Sequence, residues 1–352
     1  MKIALLNDTH WGARNDSPAF INYFNKFYDE VFFPYLQENN INTLIHLGDV
    51  VDRRKFINHN TAYNFKLKFW DKIEQLKIDT HILLGNHDTY YKNTNSVNAL
   101  QNLNLPQNTK IYTSHDTVSF EGLEILLLPW ICDDLVETTL HAIDNSTAQI
   151  VMGHLEIKGF EMHKGHLNEQ GLDKSLFKRF EKVISGHFHK KSDDGHIYYL
   201  GAPYEITWSD YKCPKGFHIF DTQTRELTRI PNPLRIHKKL VYNDKTEDYN
   251  KKNLKDFENT FVKLFISNKT DTDIFDKFVE KFHSEINVHE LNIIEDLSSD
   301  ITSSVREDIL EQGEDTLTFL GNYIDQIDTT LDRNKLKKFV KELYVEVNDN
   351  AS

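Results

Sequence analysis

The sequence predicts an α/β fold of two packed mixed β-sheets flanked by helices, followed by a small α+β capping module and a C-terminal helix-loop-helix. Three observations predict it. Apolar runs alternate with segments of helical period over residues 2–84, the pattern of parallel strands joined by right-handed crossovers. Five apolar runs stop at Gly, Asp, Asn or His, as buried strands do when they deliver polar groups to the carboxyl edge of a sheet. Short runs separated by turn residues between 111 and 230 supply hairpins and a second, antiparallel set of strands.

Taken in order, residues 2–8 form the first strand and lead into Asp8-Thr9-His10. Residues 18–39 read as a helix because Phe20, Phe24, Phe27, Tyr28 and Val31 recur at intervals of three and four. The strand at 43–47 ends at Gly48-Asp49, and a helix over 58–77 carries Tyr63, Leu67, Trp70 and Ile73 on one stripe. The third strand, 80–84, ends at Gly85-Asn86-His87-Asp88. Residues 111–113, 117–120 and 123–128 read as strands in hairpins. The buried run 149–152 ends at Gly153-His154, and 158–171 reads as a loop over the site. A short helix at 172–180 precedes the strand 183–185, which delivers Gly186-His187-Phe188-His189. Strands at 197–200, 216–221 and 226–230 complete the second sheet, and Pro231-Asn232-Pro233 reads as a linker.

Beyond it, strand 261–267, helix 271–285 and strand 288–294 form the small module. Residues 295–304 are polar and acidic. Leu317, Leu320, Tyr323, Ile324 and Ile327, then Leu336, Phe339, Val340, Leu343, Tyr344 and Val347, make two helical stripes broken near 328–332. The domains expected are a catalytic domain at 1–233, a capping module at 234–296, a linker at 297–304 and a helical segment at 305–352.

With 39% apolar and 12% aromatic residues, the 352-residue chain has ample material for a packed core. No run is long enough for a membrane span, and the first apolar run is too short for a signal peptide. Cys132 and Cys213 make neither a disulfide framework nor a zinc knuckle, so a cytoplasmic setting is expected. The net charge of −13 weighs against free nucleic-acid binding, although bound divalent cations would reverse the field locally.

Together the five strand ends offer Asp8, His10, Asp49, Asn86, His154, His187 and His189. These are oxygen and nitrogen donors without a thiolate, which favours Mn²⁺, Mg²⁺, Fe²⁺ or Zn²⁺ in open coordination. Seven donors exceed one ion's needs and suit two, about 3.5–4 Å apart, bracketing the attacking and leaving oxygens of a phosphoryl displacement. His87, next to a ligand, points to a role on the substrate, as proton donor to the leaving oxygen or stabiliser of charge. Asp88 is the candidate to orient its imidazole. Any one of these motifs alone is more readily a turn or a surface residue, and Asn86-His87-Asp88 would pass for one. Their joint placement at strand ends is what carries the metal-site reading. His46 reads as core or edge, and His59, His163 and His166 as surface, with the last two on the loop over the site.

In this order, Asp8-x-His10, Gly48-Asp49-x-x-Asp52, Gly85-Asn86-His87-Asp88, Gly153-His154 and Gly186-His187-x-His189 resemble the signature blocks of the calcineurin-like metallophosphoesterases over residues 1–230. Trp11-Gly12, Asp49-Val50-Val51-Asp52-Arg53-Arg54, Leu128-Pro129-Trp130, Gly201-Ala202-Pro203-Tyr204 and Thr207-Trp208 resemble the SbcD-type DNA-repair nucleases, most nearly the recombination endonuclease small subunits of tailed phages. The resemblance implies one metal on Asp8, His10, Asp49 and His189 and a second on Asp49, Asn86, His154 and His187, with Asp49 bridging and His87 catalytic. Some relatives carry a second important histidine where this chain has Asp52, which leaves Asp52 as either a supporting or a catalytic residue. The resemblance further implies Mn²⁺, with Mg²⁺ as the alternative. It implies DNA as substrate and an SbcC-like coiled-coil ABC ATPase docked on residues 305–347. It also implies a homodimer through the helix at 58–77.

The leading function is therefore a two-metal, Mn²⁺-dependent DNA exonuclease and endonuclease in recombination and repair. One alternative is a phosphomonoesterase or small-nucleotide phosphodiesterase on the same scaffold, and another is a non-catalytic scaffold of the same fold.

Overall fold

The computed structural model describes residues 1–163, 166–294, 324, 332–333, 335–337 and 339–340. In chain order the strands are β1 Lys2–Leu6, β2 Thr43–His46, β3 Asp79–Leu83, β4 Thr109–Tyr112, β5 Asp116–Phe120 and β6 Leu123–Leu128. Next come β7 Ile150–Gly153, β8 Glu161–His163, β9 His166–Leu167, β10 Lys182–Ser185, β11 Ser192–Asp193 and β12 Ile197–Tyr199. The last are β13 Gly216–Asp221, β14 Leu227–Pro231, β15 His237–Asn243, β16 Phe261–Asn268 and β17 Glu290–Ile294.

The two principal sheets have orders β14-β13-β1-β2-β3-β4 and β11-β12-β10-β7-β6-β5. Each has a parallel centre, β1 to β4 in one and β6-β7-β10-β12 in the other, with antiparallel strands outside it. Both are therefore mixed, as expected. Alternation along β1 explains why they stack. Ile3 and Leu5 join Ile125, Leu127, Ile150, Met152 and Ile184 in a core between the sheets. Ala4 and Leu6 face the opposite way, into a core with the helical residues Phe24, Phe27, Phe69 and Ile73. The outer face of the second sheet, with Leu126, Val151 and Val183, packs on Ile143 of the helix Val136–Asn145. The layers run helix, sheet, sheet, helix.

Several expectations change in detail. β13 and β14 complete the first sheet rather than the second, because β13 pairs antiparallel with β1 through Lys2↔Asp221 to Leu5↔His218. β4 likewise lies parallel to β3 and is not part of a hairpin. The helix expected over 58–77 is present as His59–Phe65, a wide turn Lys66–Trp70 and Asp71–Gln75. In that turn the Asp71 N–H reaches back five residues to the Lys66 carbonyl, which shifts the phase of the helix by about one residue. The buried face is therefore Phe65, Phe69, Trp70 and Ile73, while Tyr63 and Leu67 are 62% and 41% exposed. The helix over 18–39 contains a similar turn at Tyr28–Phe32. The loop at 158–171 carries the hairpin β8–β9. The helix at 172–180 shrinks to one turn, Lys174–Phe177.

Pro231-Asn232-Pro233 is a clamped crossing rather than a free linker. Pro231 still pairs with Gly216, and buried Asn232 donates from its amide to the Pro203 carbonyl at 3.0 Å. Beyond it the small module gains a strand absent from the sequence-based expectation, β15. The order is β15-β16-β17, all parallel, with the helix Thr272–Ser284 between β16 and β17. β15 was hidden because His237, Lys238 and Lys239 leave it an apolar run of only three residues, Leu240 to Tyr242. Fully buried Glu205 anchors its start by accepting the N–H groups of Ile236 and His237, both at 3.0 Å.

The acidic linker expected at 297–304 lies outside the described residues. Of the two stripes within 305–352, only Ile324, Leu336, Phe339 and Val340 are described, and these are helical. Among the described residues no helix is long and apolar enough to cross a membrane.

The shifted helix phase has a direct test. Phe69→Ala should destabilise the protein by about 3–5 kcal/mol, read from the urea midpoint. Tyr63→Ala should stay within about 0.5 kcal/mol; the reverse ranking would restore the straight-helix stripe.

Candidate metal centre and catalytic site

The five polar motifs converge, but from two sheets rather than one edge. β1, β2 and β3 deliver Asp8, His10, Asp49 and Asn86, and β7 and β10 deliver His154, His187 and His189. The loops after β1 and β2 stay paired past their strands. The Asp49 carbonyl accepts the N–H of Thr9 at 2.9 Å and that of His10 at 3.1 Å. Asp8, His10, Asp49 and His187 all have positive φ, of 49°, 43°, 54° and 85°. That conformation is unfavourable for non-glycine residues, and such strain gathers at functional sites.

Asp49 lies at the centre. Its Oδ1 accepts the His87 backbone N–H at 2.8 Å. Its Oδ2 lies 3.3 Å from His154 Nε2 and 3.7 Å from His10 Nε2. Asn86 Oδ1 sits 3.0 Å from His154 Nε2 and 3.1 Å from His187 Nδ1. His10 and His189 face each other through their Nε2 atoms at 2.9 Å, and the Asp8 carboxylate accepts the His187 N–H at 3.1 Å.

Two glycines make this density attainable. A Cβ on Gly85 would fall 2.1 Å from Asp49 Oδ1, and one on Gly48 would fall 2.5 Å from His154 Nδ1. In the sequence these glycines only mark strand ends; the reason for them is the close approach of groups from other loops.

The donor set fits divalent cations on its own geometry. His154 Nδ1 donates to the Leu47 carbonyl at 2.8 Å, which turns the lone pair of Nε2 toward two oxygen acceptors, Asn86 Oδ1 and Asp49 Oδ2. Acceptors facing acceptors in a buried space need a proton or a cation between them. Two groupings with ligand atoms within 4.8 Å of one another, Asp8-His10-His189 and Asp49-His154-His187, contain six of the seven residues, and Asn86 bridges the imidazoles of the second. A third grouping joins His10, Asp49 and His87.

The protonation equilibria carry the same frustration. Burial alone would lower His10 and His154, yet the carboxylates push both up to about 9: Asp52 and Asp49 act on His10, and Asp49 with Asp8 on His154. Burial lowers His187 to about 3, assisted by the charge of His154, and holds His189 well below its usual range. Burial also raises Asp8, while Asp49 is held well down by His154, His87 and His10 despite its own burial.

The supporting carboxylates act differently from expectation. Asp88 does not touch the His87 ring. It is fully buried and accepts three backbone N–H groups, from Val50 at 2.9 Å, Val51 at 3.0 Å and Gly85 at 2.8 Å. It is thus a staple between the loops after β2 and β3. Burial and the nearby Asp49 charge raise its pKa to about 7. Its carboxylate is directed at those three N–H groups, and a backbone carbonyl supplies the orienting group instead. His87 Nδ1 donates to the Asp52 carbonyl at 2.5 Å, which leaves Nε2 free. The Asp52 carboxylate lies 3.4 Å from His10 Nδ1, in a supporting position behind a candidate ligand.

Of the other histidines, His46 is core, 3.0 Å from the Thr9 hydroxyl, and His59 is exposed. The side chains of His163 and His166 lie outside the described residues. A buried ion pair stands behind the site without any sequence motif to announce it. Lys215 Nζ contacts Asp210 Oδ1 at 2.5 Å and donates to the His189 carbonyl at 3.0 Å. No local signal marks it, since both residues read as surface charge.

The calcineurin-like phosphoesterase family model matches residues 1–191. The chain is 34% identical over 352 residues to Exonuclease subunit 1 of Enterobacteria phage T4, covering 98% of this chain and 99% of that protein. It is 24% identical over 192 residues to the SbcD component of the SbcCD nuclease of Staphylococcus epidermidis, covering 46% and 51% of the two chains. A solved dimetal phosphatase from Danio rerio, 13% identical, covers 62% of this chain and 91% of its own with a TM-score of 0.41.

Asp88→Asn separates a staple from an orienting group. Its amide should leave a backbone N–H unpaired and cost about 1–3 kcal/mol in unfolding free energy. The downfield His87 Nδ1–H signal should persist in NMR spectra; its loss would restore the orienting role.

Proposed function

The chain belongs to the calcineurin-like phosphoesterase family, and from that premise we propose that it is a two-metal DNA nuclease subunit. The single observation that carries this reading is the buried cluster of lone-pair donors around Asp49 at the joined edges of two sheets. The names of two relatives, an exonuclease subunit and a nuclease subunit, support a nucleic-acid substrate, of which DNA is the one proposed.

Asp8, His10, Asp49 and His189 would hold one cation and Asp49, Asn86, His154 and His187 the other. Mn²⁺ is the ion proposed, with Mg²⁺ as the alternative. Divalent cations there supply Lewis-acid charge to the phosphoryl oxygens and lower the pKa of water. The chain's own residues do the rest. The Leu47 carbonyl fixes the tautomer of His154, so that Nε2 is the donor atom. With Nδ1–H committed to the Asp52 carbonyl, His87 presents Nε2 to the substrate. Burial lowers the His87 pKa, and the negative charge of a bound phosphodiester works against that shift. In the imidazolium form Nε2–H donates its proton to the leaving oxygen.

We assign residues 1–233 to the nuclease domain, 234–296 to a capping module, 297–304 to a linker and 305–352 to a helical segment. That segment would dock on an SbcC-like coiled-coil ABC ATPase during DNA end processing, recombination and repair. A helix laid into a groove by one apolar stripe is a common recognition mode. Exposed Tyr63 and Leu67 on the helix 59–75 support a homodimer through that face.

His87→Ala should lower Mn²⁺-dependent cleavage of plasmid DNA by about 10²–10⁴-fold, with two Mn²⁺ still bound by calorimetry. Loss of an ion would make His87 a ligand instead. Deleting residues 305–352 should spare cleavage of single-stranded DNA and abolish copurification with the ATPase; retained copurification would move the docking site elsewhere.

A further inference from the structure

Resting on the nuclease reading above, we propose that the loops leaving β2 and β3 form a stacking rim that grips unpaired nucleotides beside the hydrolytic site. Both loops expose aromatic rings next to cations. Tyr90 and Tyr91 are 40% and 50% exposed, with ring centroids 4.7 Å apart in an edge-to-face pair, and Lys92 follows them. On the neighbouring loop Phe56 is 60% exposed, with the Arg53 guanidinium 4.4 Å from its ring centroid.

The tyrosine loop is built rather than loose. Tyr90 N–H donates to the Val97 carbonyl at 2.9 Å, and Ala99 N–H to the Asp88 carbonyl at 2.8 Å. Buried Asn95 donates to the carbonyls of Thr113 at 3.0 Å and Trp130 at 2.9 Å, which ties the loop to the second sheet. The Trp130 ring packs 5.3 Å from that of His187. Two large rings that pack on each other and still keep about half of their surface in water on a braced loop invite a partner outside the fold.

Position and charge identify that partner. Tyr90 is three residues from His87, so their Cα atoms are at most about 11 Å apart. The His87-to-Asp52 hydrogen bond joins the two loops directly, which places Phe56 within four residues of the same point. Residues 53–56 and 89–92 contain Arg53, Arg54, Lys55 and Lys92 and no acidic residue, in a chain of net charge −13. Arg53 is paired with Asp16, but Arg54 is half-buried and its Nη1 has no hydrogen-bond partner among the described residues. Its surroundings include the charges of Asp49 and Asp88. Aromatic faces interleaved with cations are the recognition chemistry of single-stranded nucleic acid, in which bases stack and phosphates pair. Bases stacked inside a duplex offer no free face, so the rim selects unpaired strands and frayed ends.

The test is the double variant Tyr90→Ala/Tyr91→Ala of the full chain. In a His87→Ala background, where cleavage is slowed about 10²–10⁴-fold, its Kd for a fluorescent oligothymidylate should rise about tenfold or more, and affinity for a blunt duplex should change little. Tyr90→Phe/Tyr91→Phe should keep wild-type affinity, because the ring face and not the hydroxyl is used. With His87 intact, the alanine variant should hydrolyse bis(p-nitrophenyl) phosphate at the wild-type rate while KM for the oligonucleotide rises. Independently, Lys92→Gln should reduce the salt dependence of oligothymidylate binding by about one ion. Unchanged oligothymidylate affinity would overturn the rim, as would equal losses on duplex and single strand. A shift of the alanine variant to a smaller species in sedimentation would overturn it too, by making the tyrosine pair a contact between copies. If the wild type hydrolyses the small diester and cleaves no DNA, the nuclease reading itself fails, and the rim with it.

Discussion

Asp49 is a buried carboxylate with four imidazoles around it, those of His10, His87, His154 and His187, and much of the fold is arranged to keep it there. An isolated buried carboxylate would take up a proton, because burial disfavours its charge. Here the backbone N–H of His87 and the ring nitrogens of His154 and His10 hold it ionised. The cost reappears next door. Asp88, buried close to that charge, is pushed up to about 7 even though three N–H groups favour its ionised form. Gly85 has no Cβ because the carboxylate occupies that space. Removing the centre would leave the surrounding imidazoles and staples without the charge they are arranged around.

The frame that bears this load is ordinary by comparison. Two mixed sheets share an aliphatic core, and an aromatic layer of Trp11, Phe24, Phe27, Tyr28, Phe65 and Phe69 backs the first of them. That packing gives the strand ends a rigid base, so that residues just past β1 and β2 can be held in left-handed backbone. Each such residue costs of order 1–3 kcal/mol. The loops after β1 and β2 remain hydrogen-bonded beyond the last regular pair, which over-determines their conformation. Strain and support meet within two or three residues of each strand end.

The supporting shell shows how backbone and side chain divide the work. A main-chain carbonyl, that of Asp52, aims His87, while the Asp52 side chain supports His10. A main-chain carbonyl at Leu47 aims His154. Lys215, neutralised by Asp210, holds the carbonyl of His189. Orientation by main-chain oxygen leaves the carboxylates near the centre free for charge and for stapling loops.

The sequence by itself determined most of the elements and the set of candidate donors. Apolar runs ending in Gly-Asp, Gly-Asn-His-Asp and Gly-His declared buried parallel strands with candidate ligands at their tips, because a strand's period and the chemistry of a donor are local properties. Tertiary structure alone decided the rest. The reversal of β13 against β1 placed it in the first sheet, through hydrogen bonds between residues more than two hundred apart. A wide turn at Lys66–Trp70 put Tyr63 and Leu67 out of phase with buried Trp70 and Ile73, since one added residue rotates all that follows on a helix. Asp88 became a staple because three N–H groups, two of them from the loop after another strand, reached it first. Sequence spacing names the groups that can interact; which of them do is set by where non-local pairing brings the backbone.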